Sequence, residues 1–171
     1  MNFLQVLFSF YGRINRAKYW LAVVFWVVVD MVVFGVLAVM LANRVLGLGS
    51  EPTGREILGV ILSFGLGIIL VGVLVLVPSI VSWFAIGVKR LHDRDQSGWW
   101  ILLFYFGPAV ASGLAQNSDS GAAALILSLV SLGIWIWALV VLGFLPGTRG
   151  PNRYGPDPLG GNVAMAAPSQ A

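Results

Sequence analysis

His92 and Asp93 stand side by side, flanked by Arg90, Arg94 and Asp95, in a chain that contains one histidine and no cysteine. A histidine titrates near neutral pH, so a carboxylate beside it raises the prospect of acid/base chemistry. Adjacent residues do not face each other on a helix, however. The simpler reading is a turn, with Asp93 or Asp95 accepting backbone N–H groups around Ser97-Gly98 and Arg90 pairing with a carboxylate. Two other polar clusters look deliberate. Arg13 and Arg16 are three apart and would share a helical face; their guanidinium forks suit bidentate contact with phosphate. The bland alternative for both is nonspecific attraction that orients the chain. Gly12 ahead of them suggests a defined bend. Asn152, Arg153 and Tyr154 lie in a run too polar and turn-rich to span a bilayer, and they are expected to dock on the 89–98 loop. With one histidine and no thiolate, no zinc site of the usual type can form, and no metal or other cofactor is expected. No G-x-S-x-G, phosphate-binding loop or dinucleotide fingerprint is present.

The elements that must hold these residues are apolar. Of the 171 residues 58 % are hydrophobic and 10 % charged, against roughly 25 % charged in a soluble domain. Four long apolar stretches, about residues 20–41, 57–83, 99–115 and 122–145, read as membrane-spanning helices, since roughly 20 helical residues cross the hydrocarbon core. The second runs on toward Val88, with a kink expected at Pro78. The third is short and contains Gly107-Pro108, which favours an irregular span. Eight of the ten Lys and Arg precede the first stretch, separate the second from the third, or follow the fourth. Basic residues in alternate connections place those connections, and both termini, in the cytoplasm. The net charge of +3 is therefore topological and needs no nucleic acid. Residues 2–11 read as a short interfacial helix, and 159–171 as a disordered tail. Trp20, Trp83, Trp99, Trp100 and Tyr19 fall at span ends, where aromatic belts form; a ligand-stacking role is the sharper reading of Trp99.

Asp30 lies near the middle of the first span, where a charge costs on the order of 3 kcal/mol. It should be protonated, or hydrogen-bonded to Ser63, Ser79, Ser82, Ser128 or Ser131. Intramembrane acids are candidates for proton relays, but a lone acid makes a poor one, and a structural role is expected.

Three segments in order carry a resemblance. Gly12-Arg13 through Tyr19-Trp20 matches a G-R-x-x-R-x-x-Y/F-W entry motif. Pro78, Arg90-Leu91-His92-Asp93 and Ser97-Gly98-Trp99-Trp100 match a P…R-L-H-D-x-x-x-S-G-W-W block. Pro146-Gly147 through Asn152-Arg153-Tyr154-Gly155-Pro156 matches a P-G-x-x-G-x-N-R-Y-G-P end. Over about residues 8–158 the chain resembles the YhaH-like bacterial inner-membrane family, domain of unknown function 805. The resemblance implies a bacterial inner membrane and no known chemistry. It also implies a glycine where this chain has Asp95.

The reading is an all-α protein: one domain, 1–158, of four transmembrane helices with a short N-terminal interfacial helix. The leading function is non-enzymatic binding of anionic lipid, or of a protein partner, through a cytoplasmic cap built from Arg13, Arg16, Arg90, His92, Asp93, Trp99, Asn152, Arg153 and Tyr154. A homo-oligomer would also suit the chain. The alternatives are a small transporter or channel subunit using Asp30, and a membrane enzyme acting on lipid headgroups through His92 and Asp93.

Overall fold

A computed structural model describes residues 1–48 and 52–160. Gly49, in the connection between the first two apolar stretches, and residues 161–171, most of the expected disordered tail, lie outside the described residues. Among the described residues every named element is helical, and the two paired residues Asn152 and Gly155 form only an isolated bridge. The helices are α1 (Phe3–Phe8), α2 (Arg16–Leu46), α3 (Gly54–Val71), α4 (Val77–Asp93), α5 (Trp100–Gln116) and α6 (Gly121–Leu139). A π-helical turn, Gly72–Leu76, joins α3 to α4, and another, Val140–Phe144, continues α6. Three helices are long and apolar enough to cross a membrane: Arg16–Leu46, the continuous Gly54–Asp93, and Gly121–Phe144, of 31, 40 and 24 residues. Two of these run several residues beyond the apolar stretches read from the sequence, because polar residues at their ends continue the backbone ladder, while Gly121–Phe144 nearly coincides with the stretch 122–145.

Both prolines are absorbed in ways their chemistry dictates. Pro78 has no N–H to donate and its ring presses on the preceding turn. The backbone widens just before it, with the Val77 N–H bonding the Gly72 carbonyl, and the Ser79 hydroxyl donates to the Leu76 carbonyl at 2.9 Å. A π-turn of this kind is a recognised consequence of an interrupted helical ladder. Pro108 does not break α5, which is a continuous helix of 17 residues. The expected irregularity is absent: the missing Pro108 N–H costs one helical bond, to the carbonyl four residues back, and the helix continues past it. Across the hairpin the Ser131 hydroxyl of α6 bonds the Pro108 carbonyl at 3.0 Å, and the Ser112 and Ser131 hydroxyls meet at 2.9 Å.

The chain forms two compact units. One comprises Met1–Leu21 and Phe84–Ala171, the other Ala22–Trp83. In the first, α5 and α6 pack as a hairpin across a short turn, and Phe104 packs edge-on against Trp137, with centroids 5.1 Å apart. In the second, the buried Trp26 indole of α2 donates to the Ser82 hydroxyl of α4 at 2.7 Å.

Asp30 has no hydrogen-bond partner for its buried Oδ1 among the described residues. The expected serine bonds do not form. Ser63 donates to the Gly59 carbonyl and Ser128 to Ala124, each four residues back in its own helix, while Ser79, Ser82 and Ser131 are engaged as described. Hydroxyls in a helix find the i−4 carbonyl without any tertiary cost, so a distant carboxyl competes poorly for them. Asp30→Leu should therefore leave thermal stability in detergent unchanged to within about 0.6 kcal/mol, the average worth of a membrane hydrogen bond. A markedly larger loss would reveal a structural partner for Asp30.

Candidate functional site

The C-terminus of the α6 helix ends in carbonyls that no helical N–H can reach, and cations are favoured there. Three side chains from elsewhere take them. Arg90 Nε donates to the Leu142 carbonyl at 2.8 Å and its Nη2 to Leu145; Trp20 Nε1 donates to Gly143 at 3.1 Å; Arg16 Nη1 donates to Phe144 at 3.1 Å. Four consecutive carbonyls are thus satisfied by α2 and α4. Arg16 and Trp20 are four apart on one face of α2, which is why they reach neighbouring carbonyls.

Arg13 does something different. It precedes α2, behind a bend at Gly12 with φ +87°, so it does not share a helical face with Arg16, contrary to the spacing argument. Its guanidinium turns inward and is 4 % exposed. Nε donates to Asp93 Oδ1 at 3.1 Å, Nη2 to the Thr148 carbonyl at 2.6 Å, and Nη1 to the Gly150 carbonyl at 2.7 Å. Asp93 Oδ2 accepts from Arg90 Nη1 at 2.5 Å. One carboxylate therefore neutralises two buried guanidiniums, an arrangement in which charge-assisted hydrogen bonds offset the desolvation of all three groups. The Pro146-Gly147 turn lies directly on this carboxylate, and a Cβ on Gly147 would overlap Asp93 Oδ2.

The remainder of the C-terminal segment closes over the end of α4. Thr148 N–H bonds the Asp93 carbonyl at 2.8 Å, and Asn152 Nδ2 bonds the His92 carbonyl at 2.9 Å. The Tyr154 ring stacks on the His92 imidazole, centroids 3.8 Å apart and nearly parallel at 5°. Arg153 Nε meets Asp95 Oδ1 at 3.0 Å and its Nη2 the Asp95 carbonyl at 2.6 Å. Asp157 accepts the Gly150 and Leu159 N–H groups at 3.0 and 2.9 Å. The Leu159 and Gly150 donors hold its carboxyl below the usual carboxylate range.

The 93–97 turn corrects the expected capping. Neither aspartate caps Ser97-Gly98. The turn is closed by main-chain bonds from Arg94 and Gln96 to the Leu91 carbonyl and from Asp95 to His92, at 3.0 Å each. Asp95 adopts φ +57°, the left-handed conformation that glycine takes freely and aspartate tolerates. That is the physical reason a glycine suits this position.

Sequence reasoning passed over Lys89. It is fully buried in α4, and its Nζ donates to the Gln5 and Val6 carbonyls of α1 at 2.7 and 2.5 Å. A lysine at a helix C-terminus complements the dipole, and here it does so between elements more than eighty residues apart. The signal was a lysine one position before the arginine of the R-L-H-D run, on an otherwise apolar helix.

A family described as "Protein of unknown function (DUF805)" matches residues 7–156. The chain belongs to that family. Its DUF805 relatives include "Inner membrane protein YhaH" of Escherichia coli (strain K12), 30 % identical over 158 residues, covering 92 % of this chain and 93 % of the relative. "Inner membrane protein YhaI" of the same strain is 28 % identical over 159 residues, covering 92 % of each. "Uncharacterized protein YiiR" is 27 % identical over 170 residues, covering 92 % of this chain and 90 % of the relative. No solved structure matches. With its apolar helices, this DUF805 chain is an integral protein of a bacterial inner membrane. Every motif that marks the DUF805 resemblance supplies residues to the cap: Arg13 and Trp20, Arg90 and Asp93, Thr148 and Asn152.

Proposed function

We propose that the chain is a non-enzymatic, four-span protein with both termini in the cytoplasm, whose cap holds anionic lipid headgroups at the inner leaflet. The observation that carries this reading is Arg149. It is exposed and makes no hydrogen bond or ion pair among the described residues. The carbonyls on either side of it, Thr148 and Gly150, are both pinned by the buried Arg13. Arg149 and Arg16 line one cavity of about 130 Å³ together with Asn15 and Thr148. An unpaired guanidinium on a braced backbone, beside a second one, suits a phosphate. Asp93 and Asp157 also border the cavity, but the carboxylate of Asp93 is committed to Arg13 and Arg90.

The same commitment supports the non-enzymatic reading. Asp93 has no oxygen left for His92, whose ring is stacked on Tyr154. The four-span topology draws support from α5, whose 17 residues are extended toward the surface by turns at Ser97–Trp99. The interfacial placement of α1 draws support from its two faces: Val6 and Leu7 are buried, while Phe3, Leu4 and Phe8 are exposed, as a helix lying in the headgroup layer requires.

Two measurements test this proposal. The chain has no cysteine, so single cysteines at Gln96, Asn117 and Leu159 can be labelled without background. Gln96 and Leu159 should react only from the cytoplasm and Asn117 only from outside; external labelling at Gln96 would remove the topology. Purified protein taken through mixed micelles should retain phosphatidylglycerol over phosphatidylcholine. Arg149→Ala should weaken that preference about five-fold, as expected for about 1 kcal/mol per base at an anionic surface. Equal retention of both lipids by the unsubstituted protein would sink the lipid reading, and a specifically co-purifying protein would favour a protein partner.

A further inference from the structure

A groove of about 480 Å³ opens beside the stacked His92 and Tyr154. Phe10, Val88, Ile101 and Leu102 supply its apolar walls, and Ser97, Trp99 and His92 its polar edge. Its volume falls within the roughly 300–1,000 Å³ of small-molecule sites. The walls are stiff. Tyr154 is fixed on His92 by a stack and by its N–H bond to Asn152 Oδ1 at 2.9 Å, and the loop at Gly98 lies so close to Val88 and His92 that a Cβ there would stand 2.9 Å from a Val88 methyl.

The groove sits where α4 ends and α5 begins, so one side is made of residues from membrane helices and the other from the cap. In a bilayer that level is the boundary between acyl chains and headgroups, and an apolar groove open there is filled by lipid. The polar edge suits a phosphate. Trp99 is 78 % exposed, leaving its indole N–H available, and Ser97 contributes a hydroxyl. Arg153 lies over the Tyr154 ring at 5.2 Å, with Nη1 unengaged after Nε and Nη2 are taken by Asp95. We infer that this groove seats one acyl chain of an anionic phospholipid, with the lipid's phosphate held at the Ser97–Trp99 edge, within the field of the Arg153 guanidinium on the neighbouring Tyr154 ring. The inference rests on the lipid reading of the cap and adds a second, separate place of contact that recognises the chain as well as the charge.

Native mass spectrometry of protein released from mixed phosphatidylglycerol and phosphatidylcholine micelles tests it. Leu102→Trp and Val88→Phe narrow the groove from opposite walls, while Leu102→Ala widens it; circular dichroism and thermal melting identify which variants fold. The unsubstituted protein and Leu102→Ala should retain a phosphatidylglycerol molecule that the folded narrowing variants lose. Retention of that molecule by a folded narrowing variant would overturn the groove and leave the Arg149 cavity standing. If the unsubstituted protein prefers neither lipid, the cap reading and the groove fall together. Should neither narrowing variant fold, a fluorophore on a cysteine at Leu102 replaces them: quenching by phosphatidylglycerol with brominated chains supports the groove, and quenching no stronger than by the brominated phosphatidylcholine overturns it.

Discussion

Asp93→Ala is expected to destabilise the protein by about 3–5 kcal/mol, the range for removing one partner of a buried ion pair. Among the described residues the carboxylate is the one that forms an ion pair with both guanidiniums, whose side-chain exposures are 1 % for Arg13 and 0 % for Arg90. Removing it leaves two buried cations held by carbonyl dipoles alone, and the Pro146–Thr148 turn above them loses the group it packs on. The matched comparison is Asp95→Asn, because asparagine also tolerates the φ of +57° at that position. Its pair with Arg153 is exposed, at 44 % and 63 %, so water replaces the lost contact and the cost should stay within about 1 kcal/mol. Thermal unfolding of both variants in one mild detergent measures the difference. Losses of similar size would show that the Arg13–Asp93–Arg90 cluster is hydrated and does not hold the cap together.

The second large effect is expected at Lys89, and it should be local. Helix α1 has six residues, far below the length at which an isolated helix persists in water. Its Asn2–Gln5 capping box satisfies the N-terminal end, and the Lys89 ammonium satisfies carbonyls at the other. Lys89→Met keeps the apolar stem and removes the donor, leaving the Gln5 and Val6 carbonyls without it, at roughly 1–3 kcal/mol for a buried unsatisfied group. Because α1 is so short, that loss should appear as release of residues 3–8. Hydrogen exchange should show the α1 amides losing protection while those of α5 and α6 keep theirs. Unchanged protection in α1 would mean that the packing of its side chains holds it without Lys89.

Much of the protein could be read from residue order because a bilayer leaves few choices. With no water in the hydrocarbon core, every backbone N–H and C=O must be satisfied within its own segment, so long apolar stretches become helices whatever surrounds them. The stretches near 20–41, 57–83 and 122–145 needed only length and apolarity to be recognised. Local chemistry was equally readable at Gly12, whose bend requires a positive φ, and at Pro78, which must disturb its helix. The same locality misled at Pro108, which α5 absorbs without an irregular turn, and at Asp30, whose inferred hydroxyl partners are engaged elsewhere.

What the tertiary structure decided is which of the polar residues meet. Spacing placed Arg13 and Arg16 on one face and pointed His92 and Asp93 apart. In the folded chain Arg13 turns inward to Asp93, Arg16 caps the α6 helix, His92 stacks on Tyr154, and Lys89 reaches back to α1. None of these pairings has a sequence period. The Arg16 and Lys89 contacts arise because a helix end presents unsatisfied carbonyls to whichever cation the packing brings within about 3 Å, the Arg13 contact because a buried guanidinium needs a carboxylate, and the His92–Tyr154 contact because two rings stack. The amino-acid order by itself determined that this chain spans a membrane and gathers its charges beside it. Tertiary structure decided which of those charges are consumed in building the cap and which, Arg149 and one nitrogen of Arg153 among them, are left to meet something else, since only folding brings a cation to the carboxylate or carbonyl that can satisfy it.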